Sequence, residues 1–187
     1  MTRPLRLVAV SGELQRPSKS AALAEHLLEL IELGSLAPQL AAAVWRTQLP
    51  ASVEQALAAV EQADVQVVTT PVFRGAYTGL FKHFFDFVHQ DALIDKPVLL
   101  AAIGGSERHA LVIEHQLRPL FSFFQTRTLP LGVYATDKDF EGYRLRDATL
   151  MARASLAVQR ALPLIALTHR YGCTAAGAFA ANALLAA

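Results

Sequence analysis

The chain predicts a doubly wound α/β fold, a three-layer sandwich around a five-stranded parallel sheet of order 2-1-3-4-5. Three observations carry that prediction. Apolar runs of strand length alternate with amphipathic runs of helix length along most of the sequence, the pattern of successive parallel βαβ units. Polar, glycine-bearing segments follow three of the apolar runs. The 187 residues are 53% hydrophobic with a formal net charge of +1, which suits one domain with a sizeable core.

The elements follow in order. Residues 5–10 read as the first strand. Residues 19–33 read as a helix through Ala22, Leu23, Leu27, Leu30 and Ile31, with Gly34 as its stop. Residues 41–47 are a weaker strand. Residues 53–63 form a helix, and residues 65–70 a strand ending at Pro71. Residues 80–89 place Leu80, Phe81, Phe84, Phe85 and Val88 on one helical face. Residues 98–103 are a strand stopped by Gly104 and Gly105. A helix over residues 107–124 and a strand over 128–134 come next. A polar stretch, residues 135–142, leads to a last helix over about 144–168. Right-handed crossovers leave few topologies, and ligands in such sheets sit at the carboxyl ends of the strands, beside the switch between the first and third. Residues 1–170 are therefore expected to be the ligand-binding domain. Residues 171–187 are expected to be an apolar tail packed on a neighbouring surface, such as an oligomer interface.

Composition removes several classes. Lys and Arg are scattered rather than clustered, so nucleic-acid binding is not expected. The apolar tail is shorter than the roughly 20 residues that span a bilayer, and no leader peptide is read at the N-terminus, so no membrane association is expected. Cys173 is the one cysteine, which fits a reducing compartment such as the cytoplasm. The six histidines show no metal-ligand spacing: His83 and His89, like His109 and His115, lie on different helical faces. Asp137 and Asp139 suggest no glycosidase pair, and Ser106 lacks a nucleophile elbow.

Three loops carry the functional reading. The first holds Ser11, Gly12, Glu13, Arg16, Ser18, Lys19 and Ser20. It opens a helix without a capping box, which leaves amide donors suited to a phosphate, with hydroxyls and two cations beside them. It is neither a Walker A loop nor a GxGxxG dinucleotide loop. In the second, Pro71, Val72, Phe73, Arg74, Gly75, Ala76, Tyr77, Thr78 and Gly79, the glycines admit a planar ligand. Thr78 is placed to cap the next helix. Phe73 and Tyr77 are placed to cover a ring, although core packing is the usual fate of such a Phe. The third, Gly104, Gly105 and Ser106, exposes amides and places Ser106 as a second cap.

These motifs resemble those of the NAD(P)H-dependent FMN reductases, whose fold is flavodoxin-like. The stretch from Pro71 to Asp86 is similar to their flavin loop, and Ser11-Gly12 with Arg16 to Ser20 resembles their phosphate loop. The similarity runs from about Leu5 to Leu167 and is closest to the reductases of alkanesulfonate and methanesulfonate monooxygenase systems. It implies FMN phosphate on Ser11, Ser18, Lys19 and Ser20. It implies flavin-ring contacts from Pro71 to Thr78 and from Gly104 to Ser106. NADH or NADPH is the implied co-substrate, and a flavin-dependent monooxygenase the implied acceptor of reduced FMN. The helix bearing His115 resembles one with a π-type bulge near the flavin and a subunit interface, so a homodimer or homotetramer is implied. Glu13 departs from the small residue usual in the family. A flavin-bound quinone or azo reductase shares every loop. Flavodoxin-type electron carriers are usually strongly acidic, unlike this chain. A cofactor-free interaction module on the same fold is a further alternative.

Overall fold

A computed structural model describes residues 5–14 and 29–185, with side chains described as far as Ala166. Strand β1 spans Leu7–Ser11, β3 Val65–Pro71 and β4 Pro97–Gly104. All three are parallel and in register, with Ser11 beside Thr69 and Pro71 beside Ile103. Every residue of β4 is buried, as expected of a central strand covered on both faces. With β2 at Glu29–Glu32 and β5 at Arg127–Thr128, the strand order is β2-β1-β3-β4-β5, the flavodoxin-like arrangement, as the alternation predicts.

The region between β1 and β3 departs from the expected elements. Residues 15–28, which include most of the expected helix 19–33, lie outside the described residues. Its end is not helical: Glu29–Glu32 is β2, paired in parallel with β1. Helix α1 then spans Leu33–Ala41, so Gly34 lies inside a helix rather than ending one. Glu-Leu-Ile-Glu fits a strand as well as a helical turn, and pairing with β1 decides between them. The expected strand over 41–47 is absent. After α1 the chain turns into a 3₁₀ helix, Arg46–Gln48. There the Gln48 side chain accepts from the backbone N–H groups of Val44 and Trp45, which therefore cannot join a ladder.

Helix α2 spans Ala51–Gln62, and α3 spans Gly79–Asp86. The expected 80–89 helix thus stops early, and Phe87 forms its C-cap. The expected 107–124 helix is divided into three. A 3₁₀ turn covers Glu107–His109, a π-helix Ile113–Leu117, and α4 Arg118–Phe123. The π-helix falls where the resemblance places a π-type bulge. The expected strand 128–134 is two: β5 (Arg127–Thr128) and β6 (Val133–Thr136), both on the same edge of β4. Pro130 lies between them and has no N–H for a ladder. A small hairpin, β7 (Phe140–Glu141) with β8 (Arg144–Leu145), takes the polar stretch and the expected start of the last helix. Helix α5 starts at Ala148 instead and continues to Leu185. The helical backbone runs through residue 170 without a break. No described helix is long and apolar enough to cross a membrane.

Strand alternation sorts the interior into two cores. Val8, Val10, Val68, Val98, Leu100 and Ala102 face α1, α2, α3, the π-helix and α4. Leu99, Ala101, Ile103, Val133 and Ala135 face α5 through Leu150, Ala157 and Ala161. The first core is aromatic. Phe85 meets Phe81 at 4.8 Å, Phe121 at 5.0 Å and Phe84 at 5.5 Å between ring centroids, mostly tilted or edge-on, as ring quadrupoles favour.

A charge cluster fastens the 3₁₀ turn to α2. Arg46 pairs with Glu54 and with Glu61, both at 2.5 Å, and donates to the Phe87 carbonyl at 3.1 Å. Burial alone would raise the Glu61 pKa, but Arg46 and the His89 backbone N–H hold it below its ordinary 4.5. A group depressed on folding adds stability above its unfolded pKa and loses it as pH falls through the folded value. Thermal stability is therefore expected to fall below pH 4.5. Arg46→Met is expected to be less stable at neutral pH and to show a flatter decline on acidification. Melting curves from pH 7 to 3 on both proteins measure this, and parallel declines would contradict it.

Candidate functional site

The register sets the carboxyl ends of β1, β3 and β4 side by side, so the segments that leave them open onto one edge of the sheet. In the first, the Ser11 side chain is fully buried, and its hydroxyl has no hydrogen-bond partner among the described residues. The Thr69 hydroxyl, its register neighbour, is likewise unpaired. Buried hydroxyls normally find partners, so two orphans at this edge mark a polar spot. Gly12 donates to the Thr69 carbonyl at 2.8 Å, which holds the start of the loop against β3. Arg16, Ser18, Lys19 and Ser20 lie outside the described residues. Glu13 is half-buried.

The second loop is a tight turn. Phe73 and Ala76 bond to each other through their backbones, at 2.8 and 3.2 Å. Between them Arg74 has φ 54° and Gly75 φ 85°. Positive φ at both central positions is the mark of a type I′ turn; glycine meets it freely, and arginine only with strain. Strain of that kind concentrates at ligand sites. Phe73 is 48% exposed, so it is not core, contrary to the usual fate of such a residue. Tyr77 is half-buried and lies 5.6 Å from Phe81. Pro71 ends β3, and the Val72 N–H donates to the Ile103 carbonyl at 2.7 Å.

Thr78 joins the first two loops. Its hydroxyl accepts from the Phe81 N–H at 3.1 Å, the cap expected of it, and donates to the Gly12 carbonyl at 3.1 Å. One buried side chain thus fixes the start of α3 to the segment after β1.

In the third loop Ser106 does not cap: its side chain makes no such bond. Its carbonyl instead accepts from the Tyr134 hydroxyl at 2.6 Å. Sequence reasoning missed Tyr134, which reads simply as a strand residue. No local pattern marks it: it pairs with Ala102 on the adjoining strand, and only its hydroxyl reaches the loop beyond.

Beside Tyr77 a cleft of about 530 Å³ runs between α3 and α4, lined by Lys82, Phe85, Asp86, Leu120 and Phe123 among others. His115 is exposed on the π-helix. The neighbouring Arg118 binds Glu114 and reaches the Thr128 hydroxyl, which anchors the π-helix to β5. Arg118 is also the leading reason that the Glu114 pKa lies below its ordinary range. His83 has a structural role: its Nε2 lies 2.9 Å from the Leu40 carbonyl and 3.0 Å from that of Ala43. Asp139 accepts from the Thr136 N–H and hydroxyl. No cluster of three or more metal-ligating side chains occurs among the described residues.

Buried hydroxyls without partners among the described residues, an exposed aromatic, a strained turn and open glycine backbone suit a flat ligand with a polar tail. Residues 5–141 match the model of the NADPH-dependent FMN reductase family. The chain belongs to that family. It is 54% identical over 180 residues to NADH-dependent FMN reductase SfnE of Pseudomonas putida, covering 90% of this chain and 97% of the relative. It is 50% identical to FMN reductase (NADPH) of Pseudomonas aeruginosa over 175 residues, covering 88% and 94%. An oxidoreductase from Corynebacterium diphtheriae shares the fold at TM-score 0.72 and 35% identity, covering 87% and 97% of the two chains. The family's cofactor accords with the donor set on the sheet edge: hydroxyls for a phosphate, backbone and aromatics for a ring.

Proposed function

We propose that this chain is an NAD(P)H:FMN oxidoreductase that passes hydride from a nicotinamide to FMN and releases reduced FMN to a separate flavin-dependent monooxygenase, in sulfonate or sulfone sulfur assimilation. The observation that supports the reading is that three loops leave one sheet edge side by side, with the Ser11 hydroxyl buried there and without a partner among the described residues. Membership of the FMN reductase family supports it.

The chain's residues divide the work. Ser11, Arg16, Ser18, Lys19 and Ser20 bind the phosphate, through hydroxyls and cations. Pro71, Val72, Phe73, Gly75, Tyr77 and Thr78 shape one side of the ring site, and Gly104, Gly105 and Ser106 the other. Arg74, held out on its strained turn, steers the nicotinamide phosphates. His115 on the π-helix serves the flavin or a subunit contact. The bound flavin supplies the hydride chemistry itself, so the protein's task is to bind, orient and exclude water. No residue is assigned as a catalytic acid or base.

Either NADH or NADPH serves this reading, since relatives of each name are similar to the chain. A homodimer or homotetramer in the cytoplasm completes it. The contact expected of residues 171–187 involves side chains that lie outside the described residues.

Nicotinamide oxidation measured with FMN varied from zero tests the function. The rate should rise hyperbolically with added FMN. A dialysed protein that stays flavin-loaded and responds to quinone but not to FMN would establish a quinone reductase instead. Lys19→Ala tests the phosphate site. A charge-assisted hydrogen bond is worth enough that its loss should weaken FMN binding by roughly 10- to 100-fold and riboflavin far less. Equal weakening of both flavins would remove the phosphate assignment.

A further inference from the structure

Tyr134 is the second residue of β6, in register with Ala102 of β4. Its ring lies against the aromatic core, and its hydroxyl reaches across the sheet edge to the Ser106 carbonyl. That reach depends on Gly104, because a Cβ there would overlap the hydroxyl. A second brace lies just beyond: Lys138 forms an ion pair with Glu107, the residue after Ser106. Burial first, and then the Glu107 carboxylate, hold the Tyr134 phenol above its ordinary pKa of 10. The hydroxyl therefore keeps its proton and donates.

A loop with two consecutive glycines has much conformational freedom to lose when it is ordered around a ligand. A side chain that already fixes its carbonyl removes part of that cost before the ligand arrives. The contact is with the loop, so its effect falls on binding and not on hydride transfer.

We propose that Tyr134 is a positioning residue for the flavin, holding Gly104–Ser106 in the shape that receives the ring through its bond to the Ser106 carbonyl. The inference rests on the assignment of that loop to the flavin ring.

The test compares wild type, Tyr134→Phe, Gly104→Ala and the double variant as full-length proteins. FMN binding is followed by flavin fluorescence, together with steady-state kinetics and melting temperature. Loss of one neutral hydrogen bond should raise the FMN Kd and KM of Tyr134→Phe about threefold to tenfold. Its kcat at saturating FMN and its melting temperature should stay near wild type, which separates positioning from a general loss of stability. Gly104→Ala probes the same contact from the loop side, so the result does not depend on one variant. Because both changes act through one bond, the double variant should bind FMN no more weakly than Gly104→Ala alone. Wild-type affinity in Tyr134→Phe, or fully additive losses in the double variant, would overturn the role of Tyr134. Wild type that fails to bind FMN at all would overturn the flavin site itself.

Discussion

Phe85→Ala is expected to lower the unfolding free energy by about 3–5 kcal/mol, as loss of a buried aromatic does. Phe85 is 1% exposed and lies among Phe81, Phe84, Phe121 and Phe124. It joins α3 to α4, and through them the second loop to the segment that carries the π-helix. Its ring also borders the cleft beside Tyr77, so the space left by truncation opens toward existing solvent. Entry of water there places the cost at the lower end of the range. For a chain of this length the melting temperature should fall by roughly 6–20 °C. Phe85→Leu, which keeps most of the volume, should lose markedly less. Calorimetry or thermal circular dichroism on both variants decides it, and a shift below 2 °C for the alanine variant would contradict the packing role.

Thr78→Val should have a smaller effect on stability and a larger one on the site. Valine matches threonine in shape but has no hydroxyl. The change removes the cap on α3 and the bond to Gly12 together, leaving the Phe81 N–H and the Gly12 carbonyl without those partners in a buried setting. Loss of a cap costs about 0.5–2 kcal/mol, and an unsatisfied buried group about 1–3 kcal/mol. A combined loss of about 2–4 kcal/mol is expected on those grounds. FMN affinity should fall as well, because the first and second loops lose the side chain that joins them. Thr78→Ser, which keeps the hydroxyl, should recover most of both properties. If Thr78→Val melts and binds FMN like wild type, the bridge between the loops has no energetic weight.

These two positions show how unevenly the molecule could be read in advance. The helical spacing of Phe81, Phe84 and Phe85 indicates one buried face, and the structure has that face. Position alone suggested Thr78 as a cap. Its second bond, to Gly12, joins residues 66 apart in sequence, and no local pattern encodes such a partner. Phe73 reads as core by its type, yet the positive-φ turn at Arg74 and Gly75 carries it to the surface. Ser106 reads as a cap by its position, yet its carbonyl and not its hydroxyl has the structural role.

Local sequence was enough to specify the alternating order of strands and helices, the central apolar strands and the three polar loops at the carboxyl edge of the sheet. Those features follow from local periodicity and from turn chemistry, which short windows of residues contain. It also carried the motifs that identify the family, and the expected π-type bulge. The edge elements, by contrast, took their identity from long-range pairing. Glu29–Glu32 became a strand because β1 offered an unpaired edge, and residues 41–47 did not because Gln48 took the backbone donors of Val44 and Trp45. The expected strand over 128–134 divided at Pro130, and Tyr134 met Ser106 only because β4 and β6 lie side by side. Each of these outcomes depends on a partner distant in sequence, and hydrogen-bond pairing at a sheet edge is a property of two segments rather than one.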